Sequence, residues 1–291
     1  MKVGFVGVGA MGTPMARLLL QSHTVTAFDP DRSRVDDLVG RGALAATDAA
    51  GAARGADAVI VMVATPAQLD QAVFGPGGAA EGLSSGELVI LMSSVGIDSV
   101  VDVSSRLTAL GARVIDAPVT GGVARAVTGE LTILTGAAPQ DLADAMPVLE
   151  LLAANVAHCG ERVGDGQAVK LVNQLLCSVH LVAAAEALAF AGSLGLDPER
   201  VLNTIEAGAA ASFMLSDRGP RMLAPETAPV LSAVDIFVKD SSLVLAAAAH
   251  ANAATPLTEK AHEIFTTAQS QGLGRSDDSA VIHIYKEVNV Q

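Results

Sequence analysis

Residues 2–12 of this 291-residue chain read KVGFVGVGAMG, a short apolar run that enters Gly7-Val8-Gly9-Ala10-Met11-Gly12 and then a helical pattern lasting to Leu20. Strand, GxGxxG, helix is a demanding order. The first glycine allows a tight turn and the second lets a pyrophosphate approach the backbone. The third lets helix and strand pack, with the helix N-terminus facing the phosphates. A lone GxGxxG would be a weak signal. Here a second predicted strand, Thr24 to Phe28, runs into Asp29, at the ~20-residue separation expected of the acid that meets the adenosine ribose diol. Gly7, Gly9, Ala10, Met11, Gly12 and Asp29 are therefore read as dinucleotide contacts. A carboxylate at position 29 accepts from both ribose hydroxyls and repels a 2'-phosphate. Pro30 follows it, where phosphate binders often place an arginine, although Arg32 and Arg34 lie close by. NAD is expected, with NADP the lesser alternative.

After a predicted helix near Arg34 to Arg41, two runs that are apolar after their first residue, Asp57 to Val63 (DAVIVMV) and Glu87 to Met92 (ELVILM), read as buried parallel strands. They end in Ala64-Thr65-Pro66 and Ser93-Ser94. Ligands lie across the carboxyl ends of such strands, so these turns are expected to line a cofactor groove. Ser94 is equally placed to cap a helix over Asp98 to Leu110. Further strands are predicted at Arg113 to Ile115, Glu130 to Thr135 and a short Val156 to His158. Thr120-Gly121-Gly122, close behind the first of these, reads either as an exposed-backbone anion site beside the nicotinamide or as a tight loop.

Gly166 to Ala191 (GQAVKLVNQLLCSVHLVAAAEALAFA) contains no proline and predicts one long, mostly buried helix. Lys170 sits near its start, with Asn173 and Gln174 on the same face. Burial lowers a lysine pKa, which suits it to proton exchange, and two amides beside it could orient an oxygen-bearing substrate. Taken alone, Lys170 is better read as snorkelling to solvent from the first helical turn while the amides cap neighbouring loops.

Other chemistries find little support. No apolar run spans a bilayer without interruption, since Lys170, His180 and Glu186 break the long helix. No signal peptide is visible, and a cytoplasmic chain without membrane partners is expected. A net charge of -13 argues against nucleic acid. Cys159 and Cys177 read as reduced core residues, the six histidines are scattered, and no metal is expected.

Three segments together, GFVGVGAMGTPMA, DAPVTGGVARAVTGELTILTG and GDGQAVKLVNQ, resemble the β-hydroxyacid dehydrogenase family, which includes 3-hydroxyisobutyrate dehydrogenases and tartronate semialdehyde reductases. The likeness runs from Val3 to about Tyr285. It implies a Rossmann-type α/β domain over 1–162, then an all-helical domain for substrate and oligomerisation over 163–291, joined by the long helix. It implies Lys170 as the catalytic lysine, with Asn173 and Gln174 beside it, and Thr120, Gly121 and Gly122 as substrate contacts. Val63, Ala64 and Ser94 fall where the family touches its dinucleotide. Many members have a second asparagine where this chain has Gln174, and the Asn-Gln pair also occurs in sugar-acid members.

The C-terminal half reads as helices at Asp197 to Ala207, Phe213 to Met222, Ile236 to Ala251 and Pro256 to Gln271. Its Ala-rich faces and the family likeness imply a homodimer or homotetramer. SAVDIFVKDSSLVL resembles the family segment whose lysine reaches the cofactor, which assigns that role to Lys239. Asp240 either holds that lysine or forms an exposed pair worth ~0.3–0.5 kcal/mol. AAASFMLSDRGPRML, SAVDIFVKD and GRSDDSAVIHIY look most like the L-threonate-oxidising, NAD-dependent members, which act on the 2-hydroxyl of a four-carbon sugar acid, and this puts Ser212 and Phe213 at the substrate pocket. Within the family the alternatives are tartronate semialdehyde reductase and 3-hydroxyisobutyrate dehydrogenase. Outside it stands an NAD-binding sensor, against which an intact Lys170 speaks.

Overall fold

The uninterrupted apolar runs are strands covered on both faces. In the computed structural model, which describes residues 1–288, the chain divides into two compact units, Met1–Lys170 and Leu171 onward. The first unit alternates β1 (Lys2–Val6), α1 (Gly12–Leu19), β2 (Thr24–Phe28), α2 (Arg32–Val39), β3 (Leu44–Ala45), α3 (Ala49–Ala53), β4 (Ala58–Val61), α4 (Pro66–Phe74), β5 (Leu88–Leu91), α5 (Ile97–Ala109) and β6 (Arg113–Asp116). These six strands lie in the order β3-β2-β1-β4-β5-β6, all parallel. That is the doubly wound Rossmann order, which reverses between β1 and β4.

Period-two alternation sends neighbouring residues of each strand to opposite cores. Phe5, Ile60 and Ile90 pack with Met15 and Leu19 of α1, while Val6, Val59, Val61 and Leu91 pack with Ala52, Leu69 and Leu107 on the other face. A strand lined on both sides has no polar position to spare, hence DAVIVMV and ELVILM.

Beyond β6 the sheet changes direction. β7 (Val119–Thr120), α6 (Gly122–Thr128), β8 (Leu131–Gly136), α7 (Pro139–Leu149) and β9 (Ala153–Gly160) complete the unit. β8 runs antiparallel to β6 and β7 and parallel to β9. β9 is eight residues long, well beyond the predicted Val156 to His158. It lies at the sheet's edge, where its half-exposed residues carry a weak hydrophobic pattern. The helix expected to follow Ser94 is present as α5, but its N-cap is Gly96, with φ +84 and no side-chain cap, so Ser94 does not cap it. α4 was not predicted. It starts in a capping box in which Thr65 Oγ accepts from the Gln68 N–H, while Gln68 Oε1 accepts from the Thr65 N–H, both at 3.2 Å.

The predicted long helix is α8 (Asp165–Ser193), and the boundary between the units falls within it, after Lys170. By length and composition α8 could cross a membrane, contrary to the expectation drawn from its charged residues, and 39% of its most apolar window is buried inside the chain. In the second unit Leu181, Ala184, Ala185 and Leu188 of α8 share a core with α10 (Phe213–Leu223), α11 (Val234–His250) and α12 (Pro256–Ala268), while α9 (Pro198–Ile205) adds Leu202. Phe237 and Phe265 meet there, ring centroids 5.1 Å apart. α13 (His283–Val288) closes the described chain.

A buried ion network ties α10 to the turn before α13. Arg218 meets Asp278 at 3.0 Å and Arg221 meets Asp277 at 3.0 Å, with Asp217 bridging both arginines. Burial pushes the Asp278 carboxyl up, against the pull of Arg218. The two segments SDRGPRML and GRSDDSAV are thus packing partners of one another.

Candidate active site

The glycine loop is shaped by what its missing side chains would strike. Gly7 has φ +92, and its N–H donates to the Phe28 carbonyl at 2.8 Å, joining the ends of β1 and β2. A Cβ on Gly7 would run into the Met62 carbonyl, and one on Gly12 into the carbonyl of Gly7 and the Phe5 ring. Gly9 is different. A Cβ there would meet only the tip of Arg34, at 3.5 Å, so this glycine leaves an open face for a pyrophosphate rather than relieving a clash. Ala10 is exposed and Met11 half-buried at the start of α1. Asp29 is 9% exposed. Its carboxylate accepts from the Val8 N–H at 3.0 Å and from the Asp31 N–H at 2.9 Å, which locks it against the glycine loop. Arg34 stands 3.8 Å from Asp29 and 3.2 Å from Asp31. The residues fit an NAD adenosine, and Arg34 supplies a cation that also suits NADP.

The strand ends beyond the switch point are tied to α8. Ser93 Oγ accepts from the Val63 N–H at 2.8 Å, and the Ser93 carbonyl accepts from Gln167 Nε2 at 3.0 Å. Gln167 Oε1 accepts from the Val95 and Gly96 N–H groups, so Ser94 lies in a loop anchored on both sides. The Ala64 N–H donates to Gln68 Oε1 at 3.0 Å. Asp116, at the end of β6, accepts from Gln167 Nε2 and from the N–H groups of Gly164 and Gln167. Burial pushes its carboxyl up to about 6, against the pull of those donors. Lys170, one turn further along α8, is 7% exposed, a buried position and not that of a side chain reaching for solvent. Thr120 pairs with Thr132 on β8, and Gly121 and Gly122 follow with φ of +129 and +69, the glycine-favouring region.

In the second unit Asn173 donates to Gln174 Oε1 at 2.8 Å, and Gln174 Nε2 donates to Asp240 Oδ2. The other Asp240 oxygen meets Lys239 Nζ at 2.8 Å. Asp240 is buried, so the Lys239–Asp240 pair is not an exposed one. Ser212 is the N-cap of α10, its Oγ accepting from the Leu215 N–H at 3.0 Å, and Phe213 is half-exposed.

Comparison with known proteins follows the same division. Residues 2–160 match the NAD-binding domain of 6-phosphogluconate dehydrogenase, and residues 164–285 match the NAD-binding domain of NADP-dependent 3-hydroxyisobutyrate dehydrogenase. The L-threonate dehydrogenase of Cupriavidus necator is 37% identical over 289 residues, 99% of this chain and 97% of that protein. The chain belongs to the β-hydroxyacid dehydrogenase family. Another relative in that family, the 2-hydroxy-3-oxopropionate reductase of Escherichia coli K12, is 32% identical over 97% of this chain and 96% of its own. A crystal structure described as 3-hydroxyisobutyrate dehydrogenase from Salmonella typhimurium superposes with a TM-score of 0.91 at 35% identity, covering 98% of this chain and 99% of that one. This β-hydroxyacid dehydrogenase is accordingly an NAD(P)-dependent oxidoreductase acting on CH–OH.

Two residues of the dehydrogenase were not singled out from the sequence: Asp116, an acid ending a buried strand, and Gln167, which lies inside a family-like motif. The available signal was a carboxylate with no apolar excuse at the end of RVID. Nothing local shows what it meets.

Proposed function

We propose that the enzyme oxidises the 2-hydroxyl of a four-carbon sugar acid such as L-threonate, with NAD as acceptor. The observation that carries the dehydrogenase chemistry is the buried Lys170, one helical turn beyond Gln167, whose amide is hydrogen-bonded to the strand ends of a dinucleotide fold. NAD, when bound, supplies hydride acceptance at nicotinamide C4. Lys170 takes the hydroxyl proton as the carbon gives up its hydride, and returns that proton when the carbonyl is reduced. Asn173 or Gln174 orients the hydroxyl, Thr120, Gly121 and Gly122 hold the carboxylate, Ser212 and Phe213 shape substrate choice, and Val63, Ala64, Ser94 and Lys239 contact the dinucleotide. The C-terminal likeness to the L-threonate dehydrogenases supports the four-carbon acid. The alternatives are a glycerate-forming tartronate semialdehyde reductase and a 3-hydroxyisobutyrate dehydrogenase.

NAD reduction followed over L-threonate, D-glycerate and 3-hydroxyisobutyrate separates these readings, and a larger kcat/KM on either of the last two overturns the first. Lys170→Ala should lower kcat by ~10²–10⁴-fold with NAD affinity nearly unchanged. Lys170→Arg should not restore it, because guanidinium stays protonated. A near-normal kcat in Lys170→Ala removes Lys170 from the chemistry.

A further inference from the structure

The Gln167 amide is hydrogen-bonded to capacity. Its two N–H bonds go to the Ser93 carbonyl at 3.0 Å and to Asp116 Oδ1 at 2.8 Å, and its oxygen accepts from the N–H groups of Val95 at 3.1 Å and Gly96 at 3.2 Å. Asp116 Oδ2 takes the N–H groups of Gly164 at 3.1 Å and Gln167 at 2.8 Å. These lie at the start of α8, where a helix leaves its first amides without internal partners. Gln167 is 1% exposed and Asp116 0%. Gly164, with φ +103, turns the chain into the helix. A Cβ on Gly166 would strike the Leu134 carbonyl, so the helix starts hard against the sheet. Lys170 comes three residues after Gln167, about 4.5 Å of helical rise and on the same face.

We infer that Asp116 and Gln167 are positioning residues: together they pin the first turn of α8 to the ends of β5 and β6 and thereby set the place of the Lys170 side-chain nitrogen relative to the loops after those strands. This inference rests on Lys170 as the proton-transfer group. The tolerance it guards is small, since a displacement of ~1 Å can cost ~10²-fold in rate.

The contact between the two side chains is an amide N–H donating to a carboxylate, which makes a reciprocal exchange informative. Asp116→Asn sets donor against donor, at either the side-chain or the backbone partners. Gln167→Glu sets oxygen against oxygen. The double variant Asp116→Asn/Gln167→Glu restores one donor facing one acceptor. Steady-state kinetics use NAD with L-threonate, or with whichever acid of the panel is oxidised fastest. Rates are expressed per folded enzyme from a thermal melt, and NAD binding is measured by fluorescence titration.

Each single exchange should lower kcat by ~10-fold or more, while KM and NAD affinity move by less than ~3-fold. The double variant should recover at least ~5-fold over the poorer single. In the Lys170→Ala background, Gln167→Glu should cost no further rate, because its effect passes through the missing lysine. Gln167→Met, similar in length and without hydrogen bonds, supplies the same reading should Gln167→Glu yield no folded protein.

Three results would overturn the positioning role and leave the Lys170 reading standing. They are single variants within ~3-fold of wild-type kcat, a double variant no better than its parents, and a Gln167→Glu loss of equal factor with and without Lys170. A near-normal kcat for Lys170→Ala is the separate result that removes the function reading and this inference with it.

Discussion

Replacing Asp116 by asparagine should remove one contribution that lowers folding stability as pH rises from about 4 to 7. The Asp116 carboxyl is fully buried, and burial raises it from 3.8 to about 6 despite the N–H groups of Gln167, Gly164 and Gly166 that pull it down. A folded pKa above the unfolded one means that folding favours the protonated acid. Its stability contribution is therefore complete below the unfolded value and is lost as pH rises through the folded one. About two pKa units at ~1.4 kcal/mol each amount to about 3 kcal/mol. An amide exchanges no proton in this range. The stability of wild type minus that of Asp116→Asn should thus fall by ~2–3 kcal/mol between about pH 4 and pH 7. The altered hydrogen bonds of the variant add an offset, but one that does not vary with pH. Among the ionisable neighbours, Cys159 has its thiol raised by burial first and then by Asp116, which keeps it neutral across this window. Asp165 pairs with Arg162 at 3.4 Å, a contact that the substitution does not remove and that should cancel in the difference. Urea unfolding of the two proteins at matched pH values provides the measurement. Parallel stability curves, or a difference that grows with pH, would refute the reasoning and show that the convergent N–H donors outweigh burial at this carboxylate.

Three further outcomes follow from the glycine loop and its acid. Asp29→Ser removes the carboxylate that opposes a 2'-phosphate and leaves Arg34 in place, so the ratio of kcat/KM for NAD over NADP should exceed unity in wild type and shrink in the variant; equal or better use of NADP by wild type contradicts it. Gly12→Ala should lower stability by ~1–3 kcal/mol, because its Cβ meets backbone that cannot yield. Gly9→Ala should keep wild-type stability and lose NAD affinity instead. Thermal melts beside NAD titration separate the two, and a Gly9→Ala protein that binds NAD like wild type would show that Gly9 does not face the pyrophosphate.

The division of labour between sequence and tertiary structure can be read residue by residue. Val3 to Asp29 announced strand, glycine turn, helix, strand and acid because each depends on neighbours in the chain: apolar periodicity, a φ that only glycine takes readily, and a fixed count to the acid. The long helix was equally legible, since its proline-free helical pattern is local. α4 was missed although its capping box is written in Thr65 and Gln68. β9 was predicted too short, at Val156 to His158, because an edge strand need not be apolar.

Other features required the folded chain. Asp116 lies 51 residues from Gln167, and Ser93 lies 74 residues from it. SDRGPRML and GRSDDSAV carried a likeness to the L-threonate-oxidising members, and only the fold shows that Arg218 and Asp278 within them are a buried pair 60 residues apart. A buried polar side chain must find its partners somewhere, and sequence shows the need without the address. The address is decided by how β5, β6 and α8 pack, because only packing brings donors and acceptors from distant positions within 3 Å while excluding the water that would otherwise satisfy them.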